Sequence, residues 1–355
     1  MAGEIVLNVF LLLLGFVLLV KGADFFVDGT SGIAKKLKIS TFIIGVTVVA
    51  LGTSAPELAV TVMDAFAGNG KLIVGNILGS NIINILLILG LSAVICKLPV
   101  EKTTRIIDLP CLMLASALFV LLGAFDNVFT WWEGLILLSI YALFMVYNIL
   151  LAKRQSKVAL EQATAVAATF DGDNATDRAP ETKWQKIKAG YENLKEKVWF
   201  LILPTVIGLG MVVGGAQLVV SSAQFIALDV FKISPEIVAL TVVAFGTSLP
   251  ELVTSVSAAR KGDVGIATGN IIGSNIANIL LIGGVGALCT GANGLEFTTE
   301  GIVSGLVGLA AAILLFASCW GKSKSITRVA GVIMLVALIA YYGFLFLNLY
   351  VFKLY

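Results

Sequence analysis

Residues Thr47 to Leu58 read TVVALGTSAPEL, and residues Thr241 to Leu252 read TVVAFGTSLPEL. Each copy sets a glycine, a proline, two adjacent hydroxyls and a carboxylate into strongly apolar surroundings. Sliding the chain against itself by 194 positions aligns residues 47–90 with 241–284 without a gap, and 26 of the 44 pairs are identical. A match of this length marks an internal duplication. The second shared block is GNILGSNIINILLILG, starting at Gly75, and GNIIGSNIANILLIGG, starting at Gly269.

The company these motifs keep is a membrane. Of 355 residues, 58% are hydrophobic and 13% charged, more apolar surface than a water-soluble core hides. Apolar runs of about 20 residues, long enough to cross roughly 30 Å of hydrocarbon as helices, recur throughout. The expected fold is therefore an all-α polytopic membrane protein. Ten transmembrane helices fall near residues 5–29, 41–67, 72–95, 106–124, 131–152, 198–224, 236–260, 264–288, 301–320 and 326–349. The first run begins with Glu4 instead of a basic region and exceeds signal-peptide length, so it is expected to stay as a span.

Alternating the loops between two sides gathers Lys35, Lys36, Lys38, Lys97, Lys102 and most other basic residues on one side, with Lys71, Lys232 and Lys353 opposite. The basic side is expected to be cytoplasmic, with both termini outside. Five spans per copy is an odd number, so the second copy enters from the opposite side and the halves form an inverted repeat. The organisation expected is a first five-helix repeat at 1–152, a cytoplasmic linker loop at 153–197 and a second repeat at 198–355.

Pro56 has no N–H to give to the carbonyl of Gly52, and its ring crowds that turn, so the helix is expected to break there and release carbonyls near Ala50, Leu51 and Gly52. Pro250 repeats the device. Thr53 and Glu57 stand four residues apart, as do Thr247 and Glu251, Ser80 and Asn84, and Ser274 and Asn278. Their hydroxyl, amide, carboxylate and carbonyl oxygens suit hard cations such as calcium and sodium. The chain has no histidine, and Cys96, Cys111, Cys289 and Cys319 have no metal-type spacing, so they are read as packing residues. A lone ionised acid at mid-membrane costs roughly 3 kcal/mol on insertion scales, and neither motif holds a lysine or arginine to pair it. Taken alone, GNILGSN also suits close helix packing. The two acids do not reduce to packing, because they recur with the same glycine, proline and hydroxyl neighbours.

Three further stretches are read structurally. Lys21, Asp24 and Asp28 share one helical face and are expected to form an internal ion pair. Gly208 to Gln217, GLGMVVGGAQ, permits close helix contact. In the central segment, DGDNATD lacks the glycine and closing glutamate of an EF-hand, and a flexible linker is expected, with its basic part against anionic lipid.

With both repeats carrying GTS-x-PE and GN-x-x-GSN, the chain resembles the cation/calcium exchanger superfamily, specifically the prokaryotic sodium/calcium exchangers, over essentially its whole length. The resemblance implies an antiporter that moves calcium against sodium through one site open alternately to either side, with three sodium ions per calcium. It implies that Glu57 and Glu251 are carboxylates shared by both ions and that Thr53 and Thr247 complete the calcium site. Ser80, Ser274 and the carbonyls of Ala50 and Ala244 would serve sodium, Asn84 and Asn278 would line the centre, and Ser54 and Ser248 join the candidate ligands. It further implies that the first and sixth spans slide across the other eight. Some relatives have an aspartate where this chain has Asn278, so this site carries two acids instead of three. The transported ions and the lipid bilayer are the expected partners, in a prokaryotic-type plasma membrane, with no cofactor, no enzymatic activity and no nucleic acid. The alternative is a proton-coupled calcium exchanger on the same fold. An intramembrane serine hydrolase at Ser54 or Ser248 lacks an activating histidine or nearby lysine, and a passive channel is separated by its freedom from any counter-ion.

Overall fold

The computed structural model describes residues 2–68, 70–170, 183–231, 244–320 and 324–347. In chain order the helices are α1 (Ala2–Leu37), α2 (Thr41–Thr53), α3 (Ala55–Phe66), α4 (Gly70–Ile95), α5 (Thr104–Asp126), α6 (Trp131–Phe170) and α7 (Lys183–Phe225), followed by α8 (Ala244–Thr247), α9 (Leu249–Lys261), α10 (Val264–Asn293), α11 (Thr299–Cys319) and α12 (Arg328–Leu347). Among the described residues, eight helices are long and apolar enough to cross a membrane, and α2 with α3 makes a ninth crossing bent by 43°. The expected seventh span, 236–260, begins outside the described residues, and α8 with α9 is its described part. The architecture is compatible with ten spans.

Two short antiparallel strand pairs tie the halves together at their loops. Leu98–Pro99 pairs with Ser325–Ile326, and Val128–Phe129 pairs with Leu295–Glu296. Beside the second pair Phe119, Phe129 and Phe297 cluster, with the Phe119 ring centroid 5.1 Å from that of Phe297. At that end Lys71 meets Glu296 at 3.0 Å. The most buried spans are α4 and α10, the two that carry the GNxxGSN blocks, and the others pack around them. All four cysteines are free.

The segment 153–197 is not a loop throughout. Helix α6 runs on to Phe170 and α7 starts at Lys183, because KRQSKVALEQATAVAA is rich in good helix formers and an existing helix extends into them with no new nucleation cost. The DGDNATD stretch lies outside the described residues.

Helices α1 and α7 pack antiparallel along a glycine seam. Gly15, Gly22 and Gly29 recur every seven residues on α1 and oppose Gly215, Gly208 and Thr205 in turn. A Cβ placed on Gly208 would lie 2.5 Å from the Phe26 amide nitrogen and 2.8 Å from the Gly22 carbonyl oxygen, so backbone meets backbone. The glycine-rich stretch of α7 therefore does make the close contact its sequence permits, through Gly208 and Gly215, while Gly210 and Gly214 face open space. Gly208→Ala is expected to destabilise the protein by about 1–3 kcal/mol through overpacking, and Gly210→Ala to be neutral. Melting temperatures of the two variants in detergent check this.

The face of α1 bearing Asp24 and Asp28 behaves differently from its sequence reading. Their partner is Lys261 at the end of α9, with Nζ 2.8 Å from Asp28 Oδ1 and 3.5 Å from Asp24 Oδ1. Ser257 donates to Asp24 Oδ1 at 2.7 Å, and Ser31 to Asp263 Oδ1 at 3.0 Å. Both acids therefore pair across to the neighbouring helix, with the Lys21 charge on their own helix acting on Asp24 as well.

Candidate functional site

The breaks fall two residues after the glycines, Gly52 and Gly246. Ser54 (φ −83°, ψ 6°) interrupts the first motif and Ser248 (φ −89°, ψ 5°) the second, both in the sparsely allowed bridge region between helix and strand geometry. Pro56 and Pro250 then sit in the first turns of α3 and α9, where a missing N–H costs nothing. Glu57 and Glu251 occupy the same first turns, where the unpaired N–H groups and the helix dipole favour a negative charge. Each break therefore ends one helix and places an acid at the start of the next.

Both acids are buried, with Glu57 1% and Glu251 0% exposed, and they lie within electrostatic reach of each other. Ser54 donates to Glu251 Oε1 at 3.0 Å and Ser274 to the same oxygen at 3.4 Å. Ser274 also approaches the Ala50 carbonyl and Thr53 Oγ1, each at 3.5 Å. Side chains from the first motif and from the second repeat thus close on one point. Ala50 is not the released carbonyl that the proline argument expects, because it accepts the Ser54 amide at 3.0 Å. Its second lone pair remains available for a further partner.

The remaining candidates are arranged by π-helical turns, Ile83–Leu89 in α4 and Asn278–Ile282 in α10. Such turns are frequent at functional sites, although Thr104–Asp108 and Ile226–Val230 adopt them too, away from these residues. The turn with Asn278 packs on α3, which carries Glu57, and the turn with Asn84 packs on α9, which carries Glu251. Ala244 opens α8 and Thr247 closes it, and α8 packs on the part of α4 that holds Ser80. Among the described residues no hydrogen bond reaches either oxygen of Glu57, Oε2 of Glu251, the hydroxyls of Ser80 and Ser248, or the amide groups of Asn84 and Asn278. Buried polar atoms are nearly always satisfied, so this many orphaned groups, most of them oxygens, form a set that could hold an oxygen-ligated cation. No group of three or more histidines, cysteines, aspartates or glutamates occurs among the described residues.

The family described as sodium/calcium exchanger protein matches residues 7–150 and 200–347. The chain belongs to the sodium/calcium exchanger family. This family member is 38% identical to CaxA of Alkalimonas amylolytica over 336 residues, covering 94% of this chain and 97% of that one. It is 33% identical to the sodium/calcium exchanger MaX1 of Methanosarcina acetivorans over 352 residues, covering 96% and 99%. Among solved structures it resembles the sodium-calcium exchanger NCX_Mj soaked with Na+ and Sr2+, with a TM-score of 0.76 and 31% identity over 96% of this chain and 99% of that one. A transporter family, not an enzyme family, is what the chain joins, and it is an integral membrane protein.

Sequence reasoning passed over part of the exchanger's polar core. Asn270, Ser255 and Asn275 are buried there, with Asn81 donating to the Asn275 carbonyl at 3.4 Å. The signal was present, since Asn76/Asn270 and Asn81/Asn275 are letters of the shared block, but spacing alone does not say which asparagine turns inward.

Proposed function

We propose that this chain is a secondary active antiporter exchanging sodium for calcium by alternating access, with three sodium ions per calcium, in a prokaryotic-type plasma membrane with both termini outside. The observation that carries the reading is the pair of buried acids, one from each repeat, among hydroxyl, amide and carbonyl oxygens and, among the described residues, with no cation of the protein hydrogen-bonded to either. Two carboxylates neutralise one calcium ion. Thr53, Thr247, Ser54 and Ser248 supply oxygens around it, and Ser80, Ser274, Asn84, Asn278 and the Ala50 and Ala244 carbonyls extend the set for sodium. The family name and the name of MaX1 support these ions. Because both ions need the same carboxylates, they exclude each other, and that competition makes the carrier an exchanger.

For alternating access, the moving part is α1 with α7. Their glycine seam makes them one unit with few side-chain ridges, and the ion pairs of Asp24 and Asp28 with Lys261 join that unit to α9. A cavity of about 550 Å³ lies between them, lined by Ala23, Asp24, Leu252, Ser257 and Lys261, and Leu252 adjoins Glu251. It supplies a route from the basic end toward the acids. The charges of this contact are partly exposed, so each pair contributes at most about 1 kcal/mol. Lys261→Ala is expected to raise the labelling rate of a cysteine placed at Ser257 by up to about fivefold, measured with a membrane-impermeant maleimide.

The test of the function is calcium-45 uptake into proteoliposomes loaded with sodium, potassium or acid. Uptake that requires internal sodium supports the proposal. Uptake driven by the acid interior alone assigns the site to the proton-coupled alternative, and uptake indifferent to the interior makes it a channel.

A further inference from the structure

We infer that Asn270 is a positioning residue for the cation site, acting on Thr53 and itself held by Ser255; this rests on the sodium/calcium reading above. Asn270 is fully buried on α10 where that helix packs against α2. Its Oδ1 accepts from Thr53 Oγ1 at 3.0 Å and its Nδ2 donates to Ser255 Oγ at 2.9 Å. Ser255 lies four residues beyond Glu251 on α9, one turn along the same face. A single amide therefore joins the broken helix of the first repeat to two helices of the second.

A hydroxyl has one proton and two lone pairs, and it ligates a cation only through a lone pair. Its proton must then point elsewhere. Of the acceptors around Thr53, Asn270 Oδ1 at 3.0 Å is nearer than the Ala50 carbonyl at 3.4 Å or Ser274 Oγ at 3.5 Å, and the Glu251 carboxylate, a further partner of the hydroxyl, is taken up by the ion when the site is loaded. The amide takes the proton and leaves the lone pairs of Thr53 to the ion. The amide has two unlike ends, and a reversed Asn270 would aim N–H at Thr53 and occupy a lone pair. In the observed orientation Ser255 Oγ accepts the Nδ2 proton, which leaves Oδ1 turned to Thr53. In the first repeat the matching atoms, Nδ2 of Asn76 and Oγ1 of Thr61, are buried without a hydrogen-bond partner among the described residues, so the bond from amide to hydroxyl is not repeated there.

The experiment is a mutant cycle on purified protein, reading the calcium dissociation constant by calorimetry in sodium-free detergent and the half-saturating calcium concentration in the uptake assay. Asn270→Ala is expected to weaken calcium binding about fivefold to tenfold, and Ser255→Ala about threefold, in line with the loss of one buried hydrogen bond. Either change, added to Thr53→Val, is expected to cost nothing beyond Thr53→Val alone, because its effect passes through the Thr53 hydroxyl. A purely structural role multiplies the effects instead. Unchanged calcium binding in the single variants, or multiplied losses in the doubles, overturns the inference. Should Asn270→Ala not fold, Ser255→Ala with Thr53→Val carries the same cycle. Failure of the wild type to exchange sodium for calcium overturns the functional reading, whereas failure of the cycle in an active exchanger overturns this inference alone.

Discussion

Glutamine at Glu57 or at Glu251 is expected to reduce sodium-dependent calcium uptake to the level of empty liposomes. Glutamine keeps the shape of the side chain and one acceptor oxygen, so the hydrogen bonds from Ser54 and Ser274 to Glu251 survive in form. What it removes is one of the two charges that balance calcium inside a site with no bulk water. Breaking a buried charge pair by deleting one partner costs about 3–5 kcal/mol, which is on the order of 10²- to 10³-fold in affinity. The two variants also differ in a way the structure anticipates. Glu251 already holds two hydroxyl donors, whereas Glu57 has no hydrogen-bond partner among the described residues and depends on the ion for its compensation. Glu57→Gln is therefore expected to raise the melting temperature of the calcium-free protein more than Glu251→Gln does. Calcium-45 uptake and thermal unfolding in detergent, measured on both, check the pair of outcomes, and full uptake in either variant removes its acid from the site.

The second large effect is electrical. With two acids and no third charge at Asn278, bound calcium leaves the site neutral and three sodium ions leave it at +1. One net charge then crosses per cycle, worth about 2.3 kcal/mol per 100 mV. An inside-negative potential of 100 mV is expected to change the calcium ratio at equilibrium about 50-fold in the direction of export. Proteoliposomes clamped with potassium and valinomycin, with the calcium ratio read at zero net flux, measure it. Asn278→Asp adds a fixed charge to the site but none to the cargo, so it is expected to leave the ratio at zero net flux unchanged while three sodium ions still exchange for one calcium, whereas exchange indifferent to potential in the wild type means two sodium ions per calcium.

Some parts of this molecule were legible from letters and others were not, and the difference is physical. Membrane helices must satisfy their own backbone hydrogen bonds, so a run of apolar residues has almost no alternative to a spanning helix, and the span positions follow from local sequence. The breaks were legible for the same reason, since Pro56 and Pro250 act on the turn before them. The segment after residue 152 misled because polarity was taken for looseness, although its residues favour helix and continue an existing one. Asp24 and Asp28 misled because side-chain spacing on one helix says nothing of the neighbour, and Lys261 comes from more than two hundred residues away.

By itself the sequence determined that the chain spans a membrane, that it is duplicated in inverted halves, that each half breaks a helix beside an acid, and that oxygen-bearing side chains of the kind hard cations prefer gather near those breaks. Those features depend on apolar run length, odd span number and the chemistry of single residues. Only the tertiary structure decided which oxygens meet: that Ser54 and Ser274 serve Glu251, that Thr53 gives its proton to Asn270, and that the glycines of α1 and α7 face each other. Contacts between helices depend on the rotation and depth of each helix in the bundle. Packing of the whole sets these, and no local pattern encodes them.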